Sequence, residues 1–210
     1  MRGGERYRAS GTIVLVEGES DRLAVEALAD RLDLDLVAAG TAVVSMGGVT
    51  NLHHHLAALA REPVRRRVVG LFDVGEIAYV RRTVEAAGLG RADSELEALG
   101  FFACDPDLEG ELIRALGVAR VEKLLAEHGE LARFRGFQQQ PAQRAKATDA
   151  QLRRFMGTHS GRKARFAPIL VRALEESRIP AAMSSLLAAA GRDLSQTPTD
   201  PGAQRRVAER

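Results

Sequence analysis

Short apolar runs recur along the first half of the chain and are separated by stretches with helical periodicity. Each run is rich in β-branched or aromatic residues, a pattern typical of strands that are covered on both faces. The four predicted strands are Thr12–Val16, Thr41–Ser45, Arg67–Phe72 and Phe101–Cys104. After each run, leucine, valine and alanine recur three and four residues apart, which predicts a helix. Strands that alternate with helices predict βαβ units and an α/β fold with a parallel sheet of about four strands.

The second half of the chain shows no further strand-like run after Val118. Apolar spacing there predicts four helices: Val121–His128, Gln151–Phe155, Arg165–Glu176 and Ala182–Ala190. Residues Phe134–Gln143, which are rich in glutamine and include Pro141, are predicted to form a loop. We therefore expect an α/β domain at residues 10–117, a helical extension at 118–191 and a disordered tail at 192–210.

Composition excludes several classes of protein. With 210 residues and 45% hydrophobic residues, the chain can bury a core, and a single cysteine, Cys104, excludes a disulfide scaffold. No apolar run approaches the ~18 residues of a membrane span, and the N-terminus lacks the apolar stretch of a signal peptide. We expect a soluble cytoplasmic protein that makes no membrane contact.

The net charge of +2 conceals an asymmetry between the two halves. Residues 1–111 carry 12 arginines, no lysine and 19 acidic residues, whereas residues 112–210 carry 18 basic and 9 acidic residues. Between Arg133 and Arg165 there are nine basic residues and one acidic residue. This run is either a solvated surface or a nucleic-acid-binding face. The candidate contact residues are Arg144, Lys146, Arg153, Arg154, Arg162, Lys163 and Arg165.

Acidic residues follow three of the four predicted strands. Glu17 follows the first and Asp73 the third, and the fourth is followed by Asp105, Asp107, Glu109 and Glu111. Because functional residues of parallel α/β sheets gather at the carboxyl ends of the strands, these side chains should converge on one edge. Their mutual repulsion is costly unless a cation neutralises it. Carboxylate oxygens suit Mg²⁺ or Mn²⁺, and two such ions are what two-metal phosphodiester cleavage requires.

Three motifs in this order resemble the TOPRIM domain of type IA topoisomerases, primases, ribosomal-RNA maturation nucleases and OLD (overcoming lysogenization defect) nucleases. They are Val16-Glu17-Gly18-x-x-Asp21, Asp73-x-Gly75-Glu76 and Asp107-Leu108-Glu109-x-Glu111-Leu112. The stretch from Arg154 to Lys163 resembles the basic motif of stand-alone actinobacterial OLD-like TOPRIM proteins. The resemblance extends from about Ile13 to about Leu187.

The resemblance implies a role for each matching residue. Glu17 would bind metal and take part in general acid/base transfer, and Asp73 would be a metal ligand. Gly75 departs from the family's DxD pattern, which leaves Glu76 to reach the site with its longer side chain. Lys163 would stabilise charge on the scissile phosphate.

The acidic motif after the fourth strand would supply a second metal position. Glu109 and Glu111 are its main candidates, and Gly110 stands where related sequences often have an acidic residue. Asp107 ranks below Glu109, because it is also a candidate N-cap of the helix that begins at Leu108.

Simpler structural roles compete with these assignments. Glu17 could instead be a carboxylate favoured by a helix N-terminus, and Asp73 could be a helix N-cap. Three consecutive histidines, His53 to His55, point in different directions on a helix and are not predicted to bind one metal. Cys104 is expected to be a buried strand residue.

These observations favour divalent-metal-dependent nicking or cleavage of DNA, in which water attacks phosphorus. The sequence contains no G-x-x-x-x-G-K-[ST] motif, so any ATP dependence would come from a separate ATPase chain. A second hypothesis is a non-catalytic module that binds nucleic acid or such an ATPase, and a third is an RNA-processing nuclease. An oligomer is compatible with the sequence.

Overall fold

The computed structural model describes residues 11–91, 93–159 and 161–191. Within them, four strands form one parallel sheet: β1 (Thr12–Val16), β2 (Thr41–Ser45), β3 (Arg67–Asp73) and β4 (Phe101–Cys104). The strand order is β2-β1-β3-β4. The sequence-based prediction of an α/β fold with a four-stranded parallel sheet is therefore confirmed.

Ten helices accompany the sheet in the described part of the chain. The first four are α1 (Glu19–Arg31), α2 (Leu52–Ala60), α3 (Ile77–Ala86) and α4 (Leu108–Leu116). The other six are α5 (Val118–Glu127), α6 (Leu131–Gln138), α7 (Pro141–Arg144), α8 (Thr148–Met156), α9 (Arg162–Arg172) and α10 (Ala181–Ala190). No helix among the described residues is long and apolar enough to cross a bilayer.

Strand β1 buries both of its faces, as its near-uniform apolar sequence predicts. Ile13 and Leu15 of β1 point into a core with side chains from α2 and α3. Val14 and Val16 point into a second core that includes α1, α4, α9 and α10. Because successive side chains of a strand alternate between faces, one short apolar strand contributes to both cores.

The strand order places a reversal point at the carboxyl ends of β1 and β3. The chain runs from β1 to β2 on one side, then returns past β1 to place β3 on its other side. Right-handed crossovers put the intervening helices α1 and α2 on opposite faces of the sheet. Ligands of open α/β sheets bind at such a reversal point, outside the carboxyl ends of the strands.

The helical half differs from the prediction in the segment 134–143 and in the bounds of several helices. The predicted loop Phe134–Gln143 is wrong, because most of it lies in α6 and α7, with Pro141 in the first turn of α7. Proline starts a helix without loss of a hydrogen bond, since the first amide has no partner in the helix. The helix predicted from Arg165 begins at Arg162.

The boundary predicted between residues 117 and 118 stays a prediction. Only Gly117 separates α4 from α5 there, and one hydrophobic cluster contains residues from β1, α1, α4 and the later helices. The predicted tail at 192–210 lies outside the described residues.

Candidate functional site

Two carboxylates lie at the neighbouring carboxyl ends of β1 and β3. Glu17 directly follows β1, and Asp73 is the last residue of β3. The Asp73 backbone N–H donates to Glu17 Oε1 at 2.9 Å. The Asp73 side chain makes no capping hydrogen bond to the turn that follows it. Both side chains are therefore placed by the ends of adjacent strands, and the simple N-cap role for Asp73 is not what the structure shows.

Asp21 is a third carboxylate of this group, and the sequence-based site assignment omitted it. Its Oδ2 accepts a hydrogen bond from the Gly18 backbone N–H at 2.8 Å, which fixes it in the first turn of α1. It lies four residues after Glu17, one helical turn further on. That spacing within the Val16-to-Asp21 motif was the signal that could have identified it.

The pKa values of these three carboxyl groups are raised. Burial raises the pKa of Glu17, an effect that the hydrogen bond from Asp73 partly offsets and that the charge of Glu76 reinforces. Burial, followed by the charges of Glu17 and Asp107, raises the pKa of Asp73 to about 7. Burial raises the pKa of Asp21 to about 6. The group therefore carries more negative charge than its surroundings stabilise, which favours a bound cation.

Helix α4 brings two further carboxylates to the same region, each already paired with a base. Asp107 caps α4 by accepting from the Gly110 N–H at 2.8 Å, and its Oδ2 lies 2.6 Å from Arg153 Nε. Glu109 is buried, and its Oε2 lies 2.9 Å from Lys163 Nζ. Its Oε1 is buried without a hydrogen-bond partner. Asp107 thus combines both of its predicted roles, helix cap and member of the acidic group.

Lys163 projects from the first turn of α9 into this acidic group. Burial lowers its pKa, but the hydrogen bond and charge of Glu109, with the charges of Asp107 and Asp21, outweigh burial and raise it. Its charge also favours the ionised forms of Glu17 and Asp21. The structure therefore brings Lys163, Glu17, Asp73 and Glu109 together from distant parts of the chain.

Two of the predicted metal ligands, Glu76 and Glu111, lie at the edge of the acidic group. Glu76 is close enough to Glu17 for its charge to raise the pKa of that residue. Glu111 Oε1 accepts a hydrogen bond from the Asp105 N–H at 3.0 Å and lies 3.8 Å from Arg114 Nη2. This contact ties the Glu111 carboxylate to the loop between β4 and α4.

The two glycines at acidic positions of the family pattern differ in their surroundings. A Cβ at Gly75 would have no atom within 4 Å, so a side chain fits there. A Cβ at Gly110 would lie 2.8 Å from Pro106 Cδ and 3.1 Å from Asp107 Oδ1. Close packing of the loop between β4 and α4 therefore accounts for Gly110, but not for Gly75.

The donor atoms suit a hard divalent cation. All are carboxylate oxygens, and Glu109 Oε1 is a buried acceptor that lacks a partner. Among the described residues, no three histidine, cysteine, aspartate or glutamate side chains already stand at mutual metal-ligand geometry. Arg153 and the Gly110 N–H engage both oxygens of Asp107, so a cation would have to displace one of them there, whereas Glu109 Oε1 is open while Lys163 holds Oε2.

The predicted nucleic-acid-binding residues divide into exposed and buried groups. Arg144, Lys146 and Arg154 are exposed, and Arg165 is half-exposed near Glu130. Arg162 was predicted to belong to the same face, and that assignment is wrong. Its guanidinium is buried against Glu130 and Phe155 and is not available to a phosphate.

Comparison with known proteins supports a relationship at the level of sequence and fold. Residues 10–74 match the family described as overcoming lysogenization defect protein-like, TOPRIM domain. Two structures of the C-terminal region of the Xanthomonas campestris pv. campestris OLD protein match with TM-scores of 0.66 and 0.62 and sequence identities of 26% and 25%. Each match covers 87% of this chain, and 92% and 95% of those chains.

The C-terminal region of the Burkholderia pseudomallei OLD protein also matches, with a TM-score of 0.61 and 21% identity, over 86% of this chain and 96% of that one. This likeness shows the fold alone. No curated protein sequence matches the chain.

Proposed function

Because this chain contains a TOPRIM domain of the OLD-like type, we propose that it nicks or cleaves the phosphodiester backbone of DNA with the help of Mg²⁺ or Mn²⁺. One observation carries the proposal. Glu17, Asp21 and Asp73 converge at the reversal point of the sheet, and among the described residues none of them forms an ion pair. Such a group gains most from a divalent cation.

The strand-end carboxylates would hold the metal, with Glu109 and Asp107 at a second position. When bound, the metal would activate water and neutralise charge on the phosphate. Glu17 uses Oε1 to accept from Asp73 N–H, which leaves Oε2 for a ligand or a proton. Since burial raises the pKa of Glu17, this carboxyl group is suited to hold a proton during transfer.

Lys163 would stabilise the charge that develops on the phosphate. Its ammonium is fixed by Glu109 and is half-buried, so a phosphate oxygen would meet a preoriented donor. Preoriented donors contribute more than mobile ones, since they need no reorganisation during the reaction.

Exposed basic residues of the helical half would bind the DNA backbone without reading sequence. Lys146 and Arg154 are exposed and form no ion pair with the described residues. Contacts of this kind position DNA but do not distinguish bases. We also propose that a separate ATPase chain is a partner of this protein and that the protein forms an oligomer.

Nicking of supercoiled plasmid with Mg²⁺ or Mn²⁺ tests the proposal. We expect Glu17→Ala and Asp73→Ala each to lower the rate by about 100-fold or more, because each removes a carboxylate from the reacting centre. Asp30→Ala is the matched control, since Asp30 is an exposed carboxylate near the C-terminal end of α1. Nicking that survives both site substitutions would exclude this mechanism.

A non-catalytic module is the second candidate function, and Gly75 in place of an acidic residue favours it. Calorimetric titration with Mg²⁺ or Mn²⁺ separates the two functions. If neither ion binds at millimolar concentration, the non-catalytic module is favoured, because such a module needs no metal. Competition among duplex DNA, single-stranded DNA and structured RNA tests the third hypothesis, RNA processing.

A further inference from the structure

A buried ion pair lies immediately before Lys163 in the sequence. Arg162 Nη2 donates to Glu130 Oε2 at 3.0 Å, and the two side chains are only 5% and 7% exposed. Arg162 Nη1 also donates to the Phe155 carbonyl at 2.9 Å and to Thr158 Oγ1 at 2.6 Å. The guanidinium carbon stands 3.9 Å from the centroid of the Phe155 ring.

These contacts join three segments at the start of α9. Phe155 and Thr158 belong to the end of α8 and the turn after it, whereas Glu130 directly precedes α6. Arg162 is the first residue of α9, and Gly161 before it has φ +80°, a conformation that favours glycine. Arg162 thus connects the start of α9 to the end of α8 and to Glu130.

A stability argument alone does not explain this pair. Removing two charges from water is expensive, and well-packed apolar residues often stabilise a core equally well. Burial raises the pKa of Glu130, but the hydrogen bond from Arg133 and the charge of Arg162 outweigh it and lower that pKa. The planar guanidinium nevertheless offers something apolar side chains lack, namely several directional hydrogen bonds from one rigid group.

We propose that Arg162 and Glu130 are positioning residues that hold the start of α9 so that Lys163 reaches Glu109 and the site. Lys163 follows Arg162 directly, and its Nζ lies 2.9 Å from Glu109 Oε2. A hydrogen bond of this length is lost when the backbone moves by about 1 Å. The inference rests on the proposed role of Lys163.

The lysine content of the chain permits a test that needs no catalytic activity. Lys123, Lys146 and Lys163 are the three lysines of the sequence, and the first two are exposed. Labelling with an amine-reactive reagent, followed by mass spectrometry, gives a rate at each one. In the native protein Lys163 should react most slowly, since Glu109 holds its ammonium.

The informative variants are Arg162→Gln, Arg162→Lys and Glu130→Gln. We expect Arg162→Gln and Glu130→Gln to speed labelling of Lys163 by about tenfold, the factor for loss of one charge-assisted hydrogen bond, with Lys123 and Lys146 unchanged. Arg162→Lys should restore part of the protection. The matched control is Arg133→Gln, because Arg133 also pairs with Glu130 at 2.7 Å but is 68% exposed, and its loss should leave Lys163 protected.

The labelling rates decide whether Arg162 and Glu130 position Lys163. Unchanged labelling of Lys163 in folded Arg162→Gln and Glu130→Gln overturns the proposal and leaves the pair a purely structural role. If Arg162→Gln unfolds, all three lysines react rapidly, and the milder Arg162→Lys and Glu130→Gln then decide. In the nicking assay we expect a lower kcat with little change in KM. If the native protein does not nick DNA, the nuclease proposal fails while the labelling result still stands.

Discussion

The two sides of the acidic site differ in how their charge is compensated. On the sheet side, Glu17 and Asp73 have no basic partner among the described residues, and their pKa values are raised. On the α4 side, Asp107 and Glu109 hold Arg153 and Lys163 at 2.6 and 2.9 Å. The carboxylates of the sheet side thus have no ion-pair partner among the described residues, whereas those of the α4 side are paired with basic side chains.

This difference connects the acidic and basic halves of the sequence. The basic partners come from α8 and α9, in the half that carries the excess of positive charge. A bound cation would use the unpartnered Oε1 of Glu109 while Lys163 stays on Oε2. At Asp107 it would compete with Arg153 and would free that arginine for a phosphate oxygen. Arg153 and Lys163 of the basic half therefore belong to the same site as Asp107 and Glu109 of the acidic half.

The largest expected effect concerns metal affinity. We expect Asp73→Asn to weaken Mn²⁺ binding by about 10- to 100-fold, since it removes a carboxylate with no competing partner. Asp107→Asn should have a smaller effect, because Arg153 already engages one oxygen of Asp107 and Gly110 N–H the other. Isothermal titration calorimetry measures both variants. A larger loss in Asp107→Asn than in Asp73→Asn would reverse the proposed difference between the two sides.

Replacing a glycine by alanine should destabilise the protein at Gly110, on the α4 side, but not at Gly75, on the sheet side. Gly110→Ala should destabilise the protein by about 1–3 kcal/mol, because the new Cβ would lie 2.8 Å from Pro106 Cδ. Gly75→Ala should be close to neutral, since no atom lies within 4 Å of its Cβ position. Thermal unfolding in the presence of EDTA measures both. Equal destabilisation by the two changes would contradict the difference in packing.

The strands and the sheet side of the site were predictable from sequence because both depend on local patterns. The apolar run of β1 and the acid that follows it are adjacent in the chain, and parallel topology brings such strand ends together. The pairing of Arg153 with Asp107 and of Lys163 with Glu109 spans 46 and 54 residues. No periodicity specifies which base meets which acid over that distance.

The buried Arg162 shows the same limit. A run of basic residues is ordinarily a solvated surface, but Glu130 provides a buried partner that turns one member inward. The mistaken loop at Phe134–Gln143 has a different origin. Glutamine favours helix, and Pro141 marked the start of α7 rather than a break. Tertiary context thus determined the burial of Arg162, whereas the loop was predicted because local helix signals were misread.

A third prediction, with a smaller expected effect, concerns how the free energy of unfolding depends on pH when no metal is bound. The pKa of Asp73 is about 7 in the folded protein and 3.8 in a model peptide, so the folded state retains a proton that the unfolded state loses. Stability should therefore fall as pH rises from about 4 to about 7. At pH 8 Asp73→Asn should be more stable than the native protein by about 1–2 kcal/mol, a value reduced for solvent screening. Near pH 4 the two should be equal. Equal stability at pH 8, measured by urea unfolding with EDTA, would mean that neither burial nor the neighbouring carboxylates penalise the charge of Asp73.

The smallest expected effect is a change in the salt dependence of DNA binding, which should differ between two neighbouring arginines of α8. Arg154 is exposed and forms no ion pair with the described residues, whereas Arg153 holds Asp107. In EDTA, Arg154→Gln should lower the salt dependence of DNA binding by about 0.9 in log–log slope, the value for one phosphate contact. Arg153→Gln should change it less, because Asp107 already neutralises that charge. Fluorescence anisotropy of a labelled duplex between about 50 and 200 mM salt measures both slopes. An equal loss in Arg153→Gln would mean that DNA alone releases Arg153, and the α4 side would then open without a metal.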